Sequence, residues 1–107
     1  MNKESLTAKL LDLAEGRETP ETWQNWWDEH ETELEALLSR GEFLKLKPRR
    51  HGFQWVPVFG SQKGAIAILE KSGLAFEASN LYQERYLAEL DAFCKEQERV
   101  QRKKQKE

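Results

Sequence analysis

The pattern that most constrains this chain is a helix start followed by a long amphipathic stripe, within residues 19–38. Thr19-Pro20-Glu21 supplies an N-cap residue, a first-turn proline and an early acidic residue, in the order in which helices begin. One stripe then recurs at three- and four-residue steps, at Trp23, Trp26, Trp27, His30, Leu34, Leu37 and Leu38. The opposite face carries Asp28, Glu29, Glu31, Glu33 and Glu35. We predict an amphipathic helix of about five turns, whose tryptophan-rich face needs a core to cover it.

Three more helices are predicted from spacing and from end signals. The segment 2–15 has leucines at helical spacing and is followed by Gly16, a residue typical of the position just beyond a helix end. Another helix is predicted within residues 60–73, where a glycine-rich turn opens it and Ser-Gly closes it. The last helix follows a Ser-Asn cap and carries one apolar stripe within residues 79–100.

Two runs rich in β-forming residues are predicted to make an antiparallel hairpin. Residues 43–47 alternate apolar and basic side chains after the first position, which is typical of a strand with one wet face. Residues 53–59 are rich in aromatic and β-branched types, and residues 48–52 would connect the two strands. Pro57 places the second strand at a sheet edge or bends it. Residues 74–77 are interpreted as a third short strand or an extended connector.

The predicted fold class is therefore α+β and mainly helical, with four helices, a small antiparallel hairpin and the order α-α-β-β-α-(β)-α. A length of 107 residues indicates one domain. We place the globular part in residues 1–94 and a basic, solvent-exposed helical extension or frayed tail in residues 95–107. The sequence holds one cysteine and no apolar run near the roughly 18 residues of a membrane span, so a cytoplasmic location is expected.

The candidate catalytic and metal-binding residues do not form a recognised arrangement. His30 has leucine four positions later and Trp27 three positions earlier, which argues against a zinc helix and against a di-iron pair. We interpret His30 as a boundary residue with a bonded polar edge, and Cys94 as a buried structural cysteine. Gly60–Gly64 has the wrong spacing for a P-loop. We expect no enzymatic activity, no cofactor and no metal.

Charge is divided into blocks, although the formal net charge is only −2. Residues 1–39 hold three basic and ten acidic residues, and residues 40–71 hold seven basic and two acidic ones. The acidic block favours a small, non-enzymatic, bacterial-type cytosolic protein-binding domain, of the physical type of immunity proteins and antitoxins, with a basic protein as partner. The candidate partner surface comprises Trp23, Trp27, Asp28, Glu31 and Glu35.

The basic cluster Lys45–His51 supports an alternative function, the binding of nucleic acid or of another anionic ligand. The candidate surface for it comprises Lys45, Lys47, Arg49, Arg50, Trp55 and Lys63. Trp55 would offer a ring for stacking or cation–π contact. The pI of about 5.8 weighs against a dedicated nucleic-acid binder, and lysines at a hairpin edge also discourage edge-to-edge pairing without any ligand. A structural or accessory protein is a second alternative.

Overall fold

The structure, a computed structural model, describes residues 2–105, and the side chains of residues 2–99. Within these residues it consists of five helices and contains no strand. The helices are α1 (Lys3–Ala14), α2 (Pro20–Leu37), α3 (Arg40–Leu46), α4 (Val56–Lys71) and α5 (Leu81–Gln105). The fold is therefore all-helical, and the predicted α+β class, with its hairpin and third strand, is wrong.

The helices α1 and α2 confirm the predictions made from their end signals. The Asn2 side chain caps α1 by accepting a hydrogen bond from the N–H of Ser5 at 2.8 Å. Gly16 follows α1 with a φ of +79°, a conformation that L side chains rarely adopt. Thr19 caps α2 in a reciprocal pair with Thr22. These local signals are enough to predict where the two helices begin and end, because they accompany backbone N–H and C=O groups that have no partner inside the helix.

The predicted first strand is instead the helix α3. Its start is a capping box, in which the Ser39 hydroxyl accepts from the N–H of Glu42 at 3.2 Å and the Glu42 carboxylate accepts from the N–H of Ser39 at 3.0 Å. These bonds to Ser39 lower the pKa of the Glu42 carboxyl. Phe43 and Leu46 are buried whereas Leu44 is 44% exposed, so burial follows the helical spacing of three and not the alternation of a strand.

The predicted second strand is wrong as well, because its last residues form the first turn of α4. Pro57 lies in that turn. An N–H in the first turn has no acceptor inside the helix, so a proline there costs no hydrogen bond. Pro57 therefore marks a helix start and not a sheet edge. The glycine-rich stretch predicted to open this helix lies inside it. The helix end is confirmed, since Ser72 is the C-cap and Gly73 follows with a φ of +74°. Residues 74–77 form a connector without strand structure.

The helix α4 is central to the packing and contacts each of the other four helices. A Cβ placed at Gly64 would lie 2.6 Å from the carbonyl oxygen of Lys45, so the α3 backbone packs directly on α4. The Ser61 hydroxyl donates to the carbonyl of Leu46 at 2.6 Å and ties the same two helices. The buried core comprises Leu6, Leu10, Leu13, Ala14, Trp23, Trp27, Leu34, Phe43, Leu46, Val58, Ala65, Leu69 and Tyr82.

A seam of paired polar groups joins the end of α1 to the start of α5, and we call Ala14, Glu18, Gln62, Ser79 and Tyr82 the polar seam. The Gln62 side-chain amide donates to the carbonyls of Ala14 at 2.8 Å and Ser79 at 2.9 Å. The Tyr82 hydroxyl accepts from the N–H of Glu18 at 2.8 Å. Burial raises the pKa of Tyr82 to about 12. The seam matters for stability because the buried Gln62 amide and the buried Tyr82 hydroxyl both find hydrogen-bond partners in it.

The helix α5 packs on the body through its first turns and then extends beyond it. Tyr82 is fully buried and Tyr86 partly, whereas residues 91–99 are all exposed. The Leu81 N–H donates to the Ser79 hydroxyl at 3.1 Å, which confirms the predicted start. The extension gives the molecule a long axis of 61 Å against 28 and 21 Å. The predicted domain boundary after residue 94 stays a prediction, and residues 106–107 of the predicted tail lie outside the described part.

Candidate functional site

A groove of about 500 Å³ lies between the end of α3 and the first turns of α4, and it brings the basic cluster together. Its basic wall comprises Lys45, Lys47, Arg49, Arg50 and His51. The rest of its lining comprises Leu44, Val56, Pro57, Gly60 and Ser61, and we call its aliphatic residues the aliphatic wall. We call this feature the basic groove. It combines a concentration of positive charge with an aliphatic surface.

The basic wall is held by residues buried on either side of the charges. Leu46 ends α3 inside the core, and Pro48 is buried two residues later. Lys47 lies between these two anchors, and Arg49 and Arg50 follow the second one, and all three are exposed. The alternation that resembled a strand therefore has another cause: buried residues fix the end of α3 and the loop after it to the body, and the basic residues between and after them remain in solvent.

The start of α4 is capped from α5. Trp55 is the N-cap residue but makes no side-chain cap. Instead, the Glu89 carboxylate accepts from the N–H of Gln54 at 2.8 Å and from the N–H of Trp55 at 2.7 Å. A carboxylate at this position also interacts favourably with the positive end of the helix dipole. Glu89 thereby fixes where the loop turns into α4. Sequence reasoning missed it because its partners lie 34 and 35 residues earlier.

Most of the cations in the basic groove form no salt bridge with the residues that the structure describes. The Lys47 ammonium lies 3.5 Å from a carboxylate oxygen of Glu31. Lys45, Arg49 and Arg50 form no salt bridge within the described part of the chain. Because several unneutralised cations stand around one concave surface, their potentials add and favour an anionic ligand there.

Two residues of the predicted anion surface lie outside the basic groove. The Trp55 ring stacks on Tyr82 with centroids 5.9 Å apart, and the Arg85 guanidinium lies 6.0 Å from the Trp55 ring centroid. The Lys63 ammonium lies 4.5 Å from the ring centroid of Phe59. The other four residues of that surface line the groove together. The fold therefore brings four of the predicted basic residues together in the groove, but it places the predicted stacking ring, that of Trp55, outside it.

The predicted acidic partner surface is divided by folding. Trp23 and Trp27 are each 1% exposed and belong to the core. Asp28 and Glu35 are exposed, and Glu31 is partly exposed. Only the carboxylates of this surface therefore meet solvent, without the aromatic residues that were expected to anchor a partner. Its role in binding a basic protein stays a prediction.

Gly60 lines the basic groove without a packing reason for being glycine. A Cβ placed there would have no atom of a neighbouring element within 4 Å, whereas one at Gly64 would overlap α3. Glycine inside a helix costs about 1 kcal/mol relative to alanine. Its effect at Gly60 is to leave the backbone of α4 open to a ligand in the groove.

The two residues weighed for other chemistry have different outcomes. Nδ1 of His30 lies 2.9 Å from the carbonyl oxygen of Trp26 and the residue is partly buried, so the prediction of a bonded boundary histidine is confirmed. Cys94 is exposed, and the prediction of a buried cysteine is wrong because α5 has left the body at that point. Within the described residues no three histidine, cysteine or carboxylate groups are placed to hold a metal ion.

The basic groove is the feature from which a function can be argued. In the part of the chain that the structure describes, no helix combines the length and apolar composition needed to cross a lipid bilayer. Comparisons with protein-family models, with curated proteins and with solved structures found no match. The chemistry of the groove itself therefore carries the functional argument.

Proposed function

We propose that this chain is a non-enzymatic, cytoplasmic protein-binding domain that binds an acidic segment of a partner protein in the basic groove. The observation that carries the proposal is the convergence of five basic side chains on one groove, four of which have no salt bridge in the described residues. Such a cluster attracts a carboxylate-rich partner, speeds its association and fixes its register.

The aliphatic wall favours an acidic peptide over nucleic acid. Leu44 is 44% exposed, and Val56 and Pro57 are partly exposed beside it. These side chains offer a surface on which apolar residues of a peptide can be buried between its carboxylates. Single-stranded nucleic acids bind mainly by stacking bases on aromatic rings. Of the described residues that line the groove, none is Trp, Tyr or Phe.

Gly60 supports a ligand that approaches the helix closely. Since no side chain projects from that position, a peptide main chain can lie against the α4 backbone. An alanine at this position would stabilise the helix, but its methyl group would reduce the space in which a peptide can approach the backbone. The glycine is therefore better explained by binding than by packing.

The proposal includes no catalytic step, in line with the expectation from the sequence. His51 accepts a hydrogen bond from the N–H of Phe53 at 3.1 Å, and the Ser61 hydroxyl is engaged with a backbone carbonyl. These side chains therefore serve the local structure of the groove. The single free cysteine agrees with a reducing compartment such as the cytoplasm.

Fluorescence anisotropy with three short probes tests the proposal. The probes are a labelled peptide rich in Glu and Leu, the same peptide with Gln in place of Glu, and an oligothymidylate of similar length. We expect the Glu-containing peptide to bind and the other two to bind far more weakly. The double substitution Arg49→Ala/Arg50→Ala removes two charge-assisted contacts and should weaken binding of the Glu-containing peptide at least about tenfold.

The matched control removes two positive charges elsewhere. Lys3 and Lys71 are exposed and lie away from the groove, Lys71 in the last turn of α4. The substitution Lys3→Ala/Lys71→Ala should leave peptide affinity within about twofold, because distant exposed charges are largely screened. Tight binding of oligothymidylate alone would assign the groove to nucleic acid and overturn the proposal. Absence of binding by every probe, or full binding by the arginine variant, would overturn it as well.

A further inference from the structure

Lys47 is the one basic residue of the groove that forms a salt bridge with a described residue. Its ammonium lies 3.5 Å from a carboxylate oxygen of Glu31 on α2 and 5.9 Å from the ring centroid of Phe43 on α3. The side chains of the ion pair are open to solvent, since that of Lys47 is 46% exposed and that of Glu31 is 40% exposed. A single solvent-exposed ion pair therefore holds the Lys47 ammonium beside α2.

The position of Lys47 gives it access to the basic groove as well as to α2. Besides the groove, it lines two depressions of about 600 and 420 Å³. Asp28 of α2 lines the first of these depressions, and Glu35 of α2 lines the second. Lys47 thus lies where three concave surfaces meet. A lysine carries its charge on a flexible four-carbon stem, so the ammonium can turn from Glu31 to a ligand in the groove while the backbone stays in place.

We propose that Glu31 is a competitor within the chain, which holds Lys47 until a carboxylate of the bound segment takes its place. This exchange rests on the proposed function, because the incoming carboxylate belongs to the acidic segment bound in the basic groove. A ligand that engages Lys47 must break one ion pair to form another, so Lys47 adds little net affinity in the wild-type chain. In contrast, Lys45, Arg49 and Arg50 have no salt bridge within the described residues to give up.

Anisotropy titrations of the Glu-containing peptide against variants of the full chain test this exchange. The substitution Glu31→Gln releases Lys47 and should tighten peptide binding about threefold, which is the typical strength of an exposed salt bridge. The matched control is Glu35→Gln. Glu35 is exposed and lines a depression together with Lys47, but it forms no salt bridge with a described residue. Its substitution should change affinity by less than about 1.5-fold, because an exposed charge without a direct partner is largely screened.

The same substitution in a chain without Lys47 separates the exchange from a general change in charge. In a Lys47→Ala background, Glu31→Gln should alter peptide affinity by less than about 1.5-fold, because the residue through which Glu31 acts is gone. Circular dichroism checks that each variant keeps its helical content. The exchange is refuted if Glu31→Gln does not tighten binding, if Glu35→Gln tightens it as much, or if the gain persists without Lys47. Failure of the Glu-containing peptide to bind the wild-type chain is a separate result, which overturns the proposed function and the exchange with it.

Discussion

Two successive turns of α4 differ in how completely the chain covers them. Gly60 and Gly64 are four residues apart, so they lie on the same face of the helix. At Gly64 the α3 backbone packs directly on α4, and the polar groups of Ser61 and Gln62 are paired with backbone carbonyls. One turn earlier, a Cβ at Gly60 would meet no described neighbour within 4 Å, and most of the cations that line the groove with it form no salt bridge with the described residues. The comparison teaches that tight packing at one turn of a helix allows the next turn to depart from what stability alone would favour. Such departures concentrate where a protein binds.

The largest expected effect comes from disturbing the tightly packed turn at Gly64. The substitution Gly64→Ala would place a Cβ 2.6 Å from the backbone oxygen of Lys45, which no side-chain rotation can relieve. The helices α3 and α4 must move apart, and we expect a loss of about 2–3 kcal/mol in the free energy of unfolding. Urea unfolding followed by tryptophan fluorescence measures it. A loss below about 0.5 kcal/mol would show that the contact between α3 and α4 is not tight.

The second effect is a loss of stability at high pH through Tyr82 in the polar seam. Burial raises its pKa from 10.0 to about 12, so between these values the unfolded chain releases the phenolic proton while the folded chain retains it. The stabilisation is therefore fully present below pH 10 and is lost as the pH rises towards 12. One pKa unit corresponds to about 1.4 kcal/mol, so about 2–3 kcal/mol should be lost across this window.

The control for this titration is Tyr82→Phe. It leaves the N–H of Glu18 without its partner and should be less stable at neutral pH by about 1–3 kcal/mol. Its stability should fall less steeply than that of the wild type between pH 10 and 12. Equal slopes for both proteins would mean that other groups, and not Tyr82, dominate the alkaline transition.

A smaller loss of stability is expected when the hydrogen bonds of Gln62 in the polar seam are removed. The substitution Gln62→Leu keeps the side chain large but removes the donor to the carbonyls of Ala14 and Ser79. We expect a loss of about 1–2 kcal/mol, since the carbonyl of Ala14 keeps its bond from the Ser79 N–H. The matched control is Gln83→Leu at an exposed glutamine, which should change stability by less than about 0.5 kcal/mol. Similar losses in both variants would contradict a specific role for the seam.

The smallest effect, and one of opposite sign, is expected one turn earlier, at Gly60. The substitution Gly60→Ala meets no neighbouring element and should stabilise the chain by about 0.5–1 kcal/mol. It should also weaken binding of the Glu-containing peptide, because the new methyl group stands in the groove. A rise in both stability and affinity would show that ligands do not approach α4 there.

The sequence allowed the prediction of α1 and α2 because their caps are local and their apolar stripes are long. It did not allow the prediction of α3. In this helix of seven residues, the positions of the apolar residues fit the period of two of a strand and the spacing of three of a helix equally well. The Ser-x-x-Glu box that begins at Ser39 is the local signal that distinguishes a helix from a strand here. Treating Pro57 as a strand residue then displaced the start of α4 by several residues.

The candidate site was predictable where it is contiguous in sequence. Lys45, Lys47, Arg49 and Arg50 lie in one short segment, so they remain neighbours whether that segment is a strand or a helix with a loop. Trp55 lies outside the groove, and its ring stacks instead on Tyr82 of α5, a contact between residues far apart in sequence. The aliphatic wall depends on how α4 packs against the loop, which is a tertiary property that no local pattern encodes.

The capping of α4 by Glu89 has a consequence for the order in which the chain is made. Translation produces every residue that lines the groove before it produces Glu89, which is 34 residues later than Trp55. A nascent or truncated chain therefore carries all the cations but lacks the carboxylate that caps the start of α4. The start of α4, whose first residues line the groove, is held in this way only when α5 has been synthesised and has folded back. Under the proposed function, a partner that requires this geometry would distinguish chains that contain α5 from chains that do not yet contain it.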